Sequence, residues 1–164
     1  MGAVLAKLED SEMKVRKGAV YILGKLEPST LAQHGAAVAA KLENTCWTTR
    51  QAAVEVLGKM EPDTLANHAA AVAAKLHFME HEYVHFQALH TLGKLKPAAL
   101  AQHTDAILAE FPSYQGRVLV AAAADTLGNL EPATLAQHTA TVSSLRGGVL
   151  LLACLPCFCG SSPV

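Results

Sequence analysis

LGKLEPSTLAQH, running from Leu23 to His34, decides the fold of this chain because it returns three times. The later copies read LGKMEPDTLANH from Leu57 to His68, LGKLKPAALAQH from Leu92 to His103, and LGNLEPATLAQH from Leu127 to His138. Their glycines stand at 24, 58, 93 and 128, so the period is 34, 35 and 35 residues. Self-similarity at this period marks stacked supersecondary units, each of which buries its apolar face only against its neighbours.

Each period holds two helical patterns. In the second unit Leu31, Gly35, Val38 and Leu42 recur at i, i+4, i+7 and i+11, which predicts a first helix over residues 29–43. Gly35 is its weak point, since glycine costs about 1 kcal/mol against alanine inside a helix. Pro28 precedes the run, where a missing N–H leaves no bond unmade. Asn44, Thr45 and Cys46 form a turn, and a second helix is predicted over 47–60 with Ala53, Val56, Leu57 and Met60 on one stripe. The pair recurs over 63–76 and 80–95, and again over 98–111 and 115–130. GAVLAKL at 2–8 is the truncated first helix of unit one; Val15, Ala19, Ile22, Leu23 and Leu26 mark its second, and a fifth first helix is expected over 133–146.

The expected fold is all-α: an α-solenoid of about four stacked antiparallel helix pairs across residues 1–146, with 147–164 as a separate tail. Gly147-Gly148 ends the pattern, and VLLLACLPCFC from Val149 to Cys159 matches no repeat position. A membrane span needs about 20 apolar residues, and this run is far shorter and contains Pro156. Neither end reads as a polar capping unit, so the chain is expected to belong to a longer array or to associate end to end.

Apolar residues make up 51 % of the chain, which excludes a disordered one. A net charge of −1 without any basic run gives no electrostatic footprint for nucleic acid. MGAVLAKL at the start shows no cleavage signature, and Ala6 stands where N-myristoylation wants Ser or Thr. The four cysteines, Cys46, Cys154, Cys157 and Cys159, are too few and too bunched for a disulfide framework. A reducing, cytoplasmic setting is the expectation.

LEDSEMKVRKGAVYILGKL at 8–26 carries Asp10 in the turn, Val15-Arg16 opening the second helix and Leu23-Gly24 near its end. LENTCWTTRQAAVEVLGKM at 42–60 keeps Arg50, Ala53, Leu57 and Gly58, with Asn44 at the acid position. These residues resemble the HEAT repeat, and the resemblance covers about residues 1–146. It implies a right-handed superhelix that serves as a protein–protein interaction scaffold, with the second helices lining the concave face. Exposed candidates on that face are Lys14, Lys17, Gln51, Glu55, Tyr83, Phe86 and His90. The implied partner is a protein; no nucleic acid, membrane span or cofactor is expected. The resemblance also implies a ladder in which turn acids and helix arginines pair between neighbouring units. His85 and Val120 occupy the arginine position in units three and four, so the ladder is expected to fade toward the C-terminus. A bilin-lyase-like HEAT protein shares the same VR…LG style and stands as a second implication.

HFMEHEYVHFQALH, His77 to His90, holds four of the eight histidines. On the predicted helix His81 and His85 stand at i, i+4, where they could chelate one metal ion, with His77 from the turn as a third ligand. Residues 81–85 also spell HExxH, the zincin pattern. That chemistry wants a cleft beside a sheet, and no strand is predicted. HEAT-like di-iron hydroxylases use repeated His-Glu dyads, whereas the matching positions of units one and two hold Glu12-Met13 and Cys46-Trp47. The reading is therefore a non-enzyme without a metal, and a metal-binding module or metal-dependent enzyme centred on His81 and His85 is the alternative. The recurring His34, His68, His103 and His138 sit on helices about 8–10 Å apart, too far to share an ion, and are expected to bond neighbouring helices or turns. Cys154, Cys157 and Cys159 lack a fourth ligand, and Trp47 is expected to cover the inter-helix turn.

Overall fold

The computed structural model describes residues 1–77, 80–110 and 117–138. The tail at 147–164 and most of the expected fifth first helix lie outside these residues. Among them run α1 (Gly2–Ala6), α2 (Met13–Leu23), α3 (Pro28–Gln33), α4 (Gly35–Ala40), α5 (Trp47–Leu57) and α6 (Pro62–Ala66). These are followed by α7 (Ala69–Ala73), α8 (Glu82–Leu92), α9 (Pro97–Ala101), α10 (Thr104–Glu110), α11 (Arg117–Gly128) and α12 (Pro132–Gln137). The described residues contain no strand, and the chain is an all-α solenoid.

Proline opens each unit. Pro28, Pro62, Pro97 and Pro132 all stand in the first turn of a short helix, where the ring replaces an N–H that has no intrahelical partner. The first helix expected over 29–43 is not continuous, which corrects the sequence reading. It divides into α3 and α4 at His34, whose backbone leaves the helical region at φ −101°, ψ 1°. His68 breaks α6 from α7 in the same way, at φ −115°, ψ 0°. The break has a packing cause. The His68 ring of the next unit lies over Gly35, and a Cβ built there would come within 2.4 Å of its Nε2. Gly35 thus interrupts the helix and admits the neighbour. Each unit is two short helices and one long one.

The long helices stack in order, α2 on α5, α5 on α8 and α8 on α11. Leu23, Leu57, Leu92 and Leu127 occupy one register position and are fully buried between them. Leu31, Leu65 and Leu100 fill the short-helix layer, and Leu8, Leu42 and Leu76 close it at the following turn.

Polar contacts stitch each unit to the one before. The Lys59 stem lies over Gly24, where a Cβ would stand 2.2 Å from its Cδ. Lys94 Nζ donates to the Gly58 carbonyl at 2.7 Å, and Asn129 Nδ2 donates to the Gly93 carbonyl at 3.0 Å. These glycines therefore leave room for the next unit: the Lys59 stem fills it at Gly24, the Thr91 side chain at Gly58 and the Asn129 amide at Gly93. Thr126 Oγ1 adds a bond to the Leu89 carbonyl at 3.0 Å.

The expected acid–arginine ladder forms at one rung among the described residues, Arg50 of α5 with the turn acid Glu80 of the next unit, and is missing at Arg16. Arg16 Nη1 donates to the carbonyls of Asp10 and Ser11 at 2.7 and 2.8 Å, inside its own unit. Arg50 Nη1 repeats this with Asn44 and Thr45 at 2.8 and 2.9 Å. The Asp10 carboxylate accepts the Glu12 N–H at 3.0 Å, and the Asn44 amide oxygen accepts the Cys46 N–H at 2.8 Å. Both are Asx turns, which need an acceptor and not a charge, so asparagine replaces aspartate without loss. Further pairs between units are Lys41–Glu9 at 2.8 Å, Lys75–Glu43 at 3.0 Å and Lys96–Asp63 at 2.6 Å.

Thr104 occupies the position of Gly35 and Ala69 in the third break. Its side chain is fully buried, and its hydroxyl finds no partner among the described residues. An unpaired buried hydroxyl costs about 1–3 kcal/mol. Thr104→Val keeps the shape and removes that cost, so thermal unfolding should shift upward by roughly 2–4 °C per kcal/mol recovered. An unchanged or lowered melting temperature would show that the hydroxyl is satisfied.

Candidate functional site

The long helices leave one side of the stack uncovered, and two hollows lie along it. The first, of about 340 Å³, opens between α2, α5 and the start of α8, with Arg16, Lys17, Gln51, Glu55 and Tyr83 on its walls. The second, of about 530 Å³, opens between α8 and α11, with Phe86, His90, Lys94, Val118 and Asp125 around it. Of the residues picked from the sequence, Lys17, Gln51, Glu55 and Tyr83 line the first hollow, and Phe86 and His90 line the second. Lys14 is exposed on α2 but lines neither. Met13, Val118, Asp125 and Asn129 also line these hollows and were not picked out. The helical register of α11 carries the signal for three of them: Val118, Asp125 and Asn129 fall at i, i+7 and i+11 of one stripe.

Three rings meet at the edge of the first hollow. Trp47 opens α5 and stacks on His81 with ring centres 3.8 Å apart and planes 5° from parallel. Tyr83 lies near-parallel to both, 5.5 Å from His81 and 5.9 Å from Trp47. Exposed aromatic faces of this kind supply contact area with little side-chain entropy to lose.

His81 and His85 do not share a helix face, which corrects the expected i, i+4 arrangement. α8 begins at Glu82, and His81 is its N-cap with extended backbone (φ −68°, ψ 138°). The His81 Nδ1 accepts the Tyr83 N–H at 3.4 Å while the ring lies against Trp47. His85 points the other way. It is buried, and its Nε2 bonds the His77 carbonyl, the place that Arg16 and Arg50 fill in their own turns. The Glu80 carboxylate is held by Arg50 and by the His81 N–H. Among the described residues no group of three His, Cys, Asp or Glu side chains is placed to hold a metal ion.

The repeat histidines have separate surroundings. Burial pushes the His103 imidazole below the usual histidine range and so favours its neutral form. His138 Nδ1 stands 3.5 Å from Asp105 of the preceding unit.

Cys46 is the N-cap of α5, exposed and free. Its thiol lies 3.0 Å from the Thr48 hydroxyl. That hydroxyl, then the Thr48 N–H, and with them the Thr49 N–H and hydroxyl, outweigh burial and bring the thiol down to about 7. Alkylation by iodoacetamide should therefore rise through a midpoint near pH 7, against about 8.5 for an ordinary cysteine. The measurement uses a variant with serine at 154, 157 and 159, and Thr48→Val should move the midpoint upward. A midpoint at 8.5 in the parent would show that the helix N-terminus does not stabilise the thiolate.

No family model matches the sequence, and no curated protein does. Among solved structures the chain is similar to "Designed armadillo repeat protein YIII(Dq.V1)4CPAF in complex with peptide (KR)4". The likeness has a TM-score of 0.66 at 12 % identity and spans 96 % of this chain and 74 % of the other. At that identity it speaks for the fold, a helical repeat solenoid. None of the helices among the described residues is long and apolar enough to cross a membrane.

Proposed function

We propose that this chain is a protein-interaction scaffold that binds an extended segment of a partner along its long-helix face. The observation that carries this reading is the pair of open hollows on one side of consecutive long helices, joined through α8, with exposed aromatic, apolar and charged side chains on their walls. An extended segment presents side chains to such a surface at a regular spacing and keeps its own backbone polar groups available. The solved neighbour is in complex with a peptide, which accords with this use of the fold. The HEAT resemblance, carried by Val15-Arg16 and Leu23-Gly24, supports the same class of function. The chain acts by binding and not by catalysis, in a reducing cytoplasmic setting.

The test is selection of peptides from a displayed random library on the full chain, followed by affinity measurement on Tyr83→Ala/Phe86→Ala. Both side chains are exposed, so the variant should keep its helical circular dichroism. Selected peptides should bind the variant about ten-fold more weakly or worse, as expected where aromatic anchors are removed. Equal affinity for parent and variant would place binding elsewhere and end the proposal.

A further inference from the structure

Lysine and arginine side chains divide into two sets. Those on the turns and short helices are paired: Lys7 with Asp10, Lys41 with Glu9, Lys75 with Glu43 and Lys96 with Asp63. Arg50, on the long helix α5, is paired with Glu80. The lysines of the long helices and their closing turns behave differently. Lys14, Lys17, Lys25, Lys59 and Lys94 are exposed and form no ion pair among the described residues. Lys25 lies 5.4 Å over the Tyr21 ring, and Lys94 reaches only a carbonyl. Burial first, then the charge of Lys59, pushes Lys94 below the usual lysine range, and Glu55 only partly offsets this. Two cations thus stand near each other on this face without a counter-ion of their own.

We infer that the segment bound along this face is acidic: an extended peptide whose carboxylates lie against Lys17, Lys59 and Lys94 and whose apolar side chains enter the two hollows. The inference rests on the peptide-groove reading above and narrows it to one chemistry. Lys25, Lys59 and Lys94 fall at one register position in consecutive units. Packed helices stand about 8–10 Å apart, and an extended chain in the polyproline II form, whose side chains return to one face every third residue, rises about 3.1 Å per residue. A carboxylate at every third residue therefore keeps pace with the lysines. Met13, Val20, Phe86 and Val118 provide apolar wall between them. Glu55 in the first hollow and Asp125 in the second oppose an acidic ligand, so the hollows take the apolar side chains and the carboxylates lie against the lysines beside them.

The experiment uses the full chain and three labelled peptides, each with four copies of Glu-Val-Ser, Gln-Val-Ser or Lys-Val-Ser, read by fluorescence anisotropy. The Glu peptide should bind and weaken as salt rises. The Gln peptide should bind about ten-fold more weakly, and the Lys peptide not at all. Lys17→Glu changes an exposed side chain without a hydrogen bond, so it should fold normally and weaken the Glu peptide by about five- to ten-fold. Lys59→Glu should do the same, whereas Lys96→Glu should leave binding unchanged. If the Gln or Lys peptide binds as tightly as the Glu peptide, the acidic assignment fails and the groove reading stands. If no peptide binds, both fail. Tighter binding of a thymidine oligonucleotide than of the Glu peptide, lost in Lys17→Glu, would give the face to phosphate and overturn the peptide assignment.

Discussion

Arg50→Ala is expected to destabilise the protein by about 3 kcal/mol, the low end of the cost of breaking a buried ion pair. The Arg50 and Glu80 side chains keep only 17 % and 9 % of their surface in contact with solvent. Arg50 Nε donates to Glu80 at 2.8 Å while Nη1 holds the carbonyls of Asn44 and Thr45, so one guanidinium closes its own turn and clamps the next unit. Removing it leaves a carboxylate covered and unpaired. For a chain of this size the melting temperature should fall by roughly 6–12 °C. The pair also sets a pH dependence. Burial pushes the Glu80 carboxyl up, but the Arg50 hydrogen bonds, the His81 N–H and the charges of Arg50 and Lys75 outweigh it and hold it below the usual range. A depressed carboxyl stabilises the fold above its unfolded value of about 4.3, and that stabilisation is lost as pH falls through the folded value. The gap between parent and Arg50→Ala should therefore be full at neutral pH and close in acid. A gap that persisted unchanged at pH 3 would assign the effect to the turn carbonyls alone. Glu80→Gln in the Arg50→Ala background should recover part of the loss, which a double-mutant cycle would read.

Leu57→Ala should cost about 3–4 kcal/mol. Leu57 is fully buried in α5, the helix that contacts both α2 and α8. A cavity there weakens two inter-unit surfaces at once. In a stack held only by nearest-neighbour contacts, that breaks the cooperativity between the two sides. Hydrogen exchange should show residues 13–60 opening at lower free energy than α8, and denaturant unfolding should broaden. A single sharp transition with uniform loss of protection would show that the described units melt as one block.

The architecture was legible because the period is written in whole words: LG, the proline four residues on and the closing histidine recur at fixed spacing, and the buried leucines follow it. The division of the first helix was less so. Gly35 hinted at a weak point, but the break also occurs before Ala69 and Thr104, where no glycine warns of it. At Gly35 the His68 ring of the neighbouring unit lies over the backbone, and a contact 33 residues away leaves no local trace. The histidine cluster misled for a related reason. The i, i+4 spacing assumed that the helix had begun by His81, and one residue of delay turned that side chain into a cap stacked on Trp47. His85 standing in for an arginine was visible in the alignment of the units; that it would bond the same turn as Arg16 and Arg50 required the turn itself. The long-helix candidates followed from register alone. The pairing of Lys7, Lys41, Lys75 and Lys96, and the lack of an ion pair at Lys14, Lys17, Lys25, Lys59 and Lys94 among the described residues, emerged only from distances.

The glycines and the polar contacts that meet them bear on how such a chain can change over generations. Each unit presents a glycine to the next and a polar contact to the last: Lys59 lies over Gly24, Thr91 over Gly58 with Lys94 on its carbonyl, and Asn129 on Gly93. Excising residues 58–92 would join Leu57 to Gly93 and bring Lys94 over Gly24, the seat that Lys59 now fills. The joint closes with parts already in place. Unequal exchange between the near-identical LGK segments of a gene would thus lengthen or shorten the array by whole units without inventing an interface, and reach along a partner becomes a quantity that inheritance can adjust in steps.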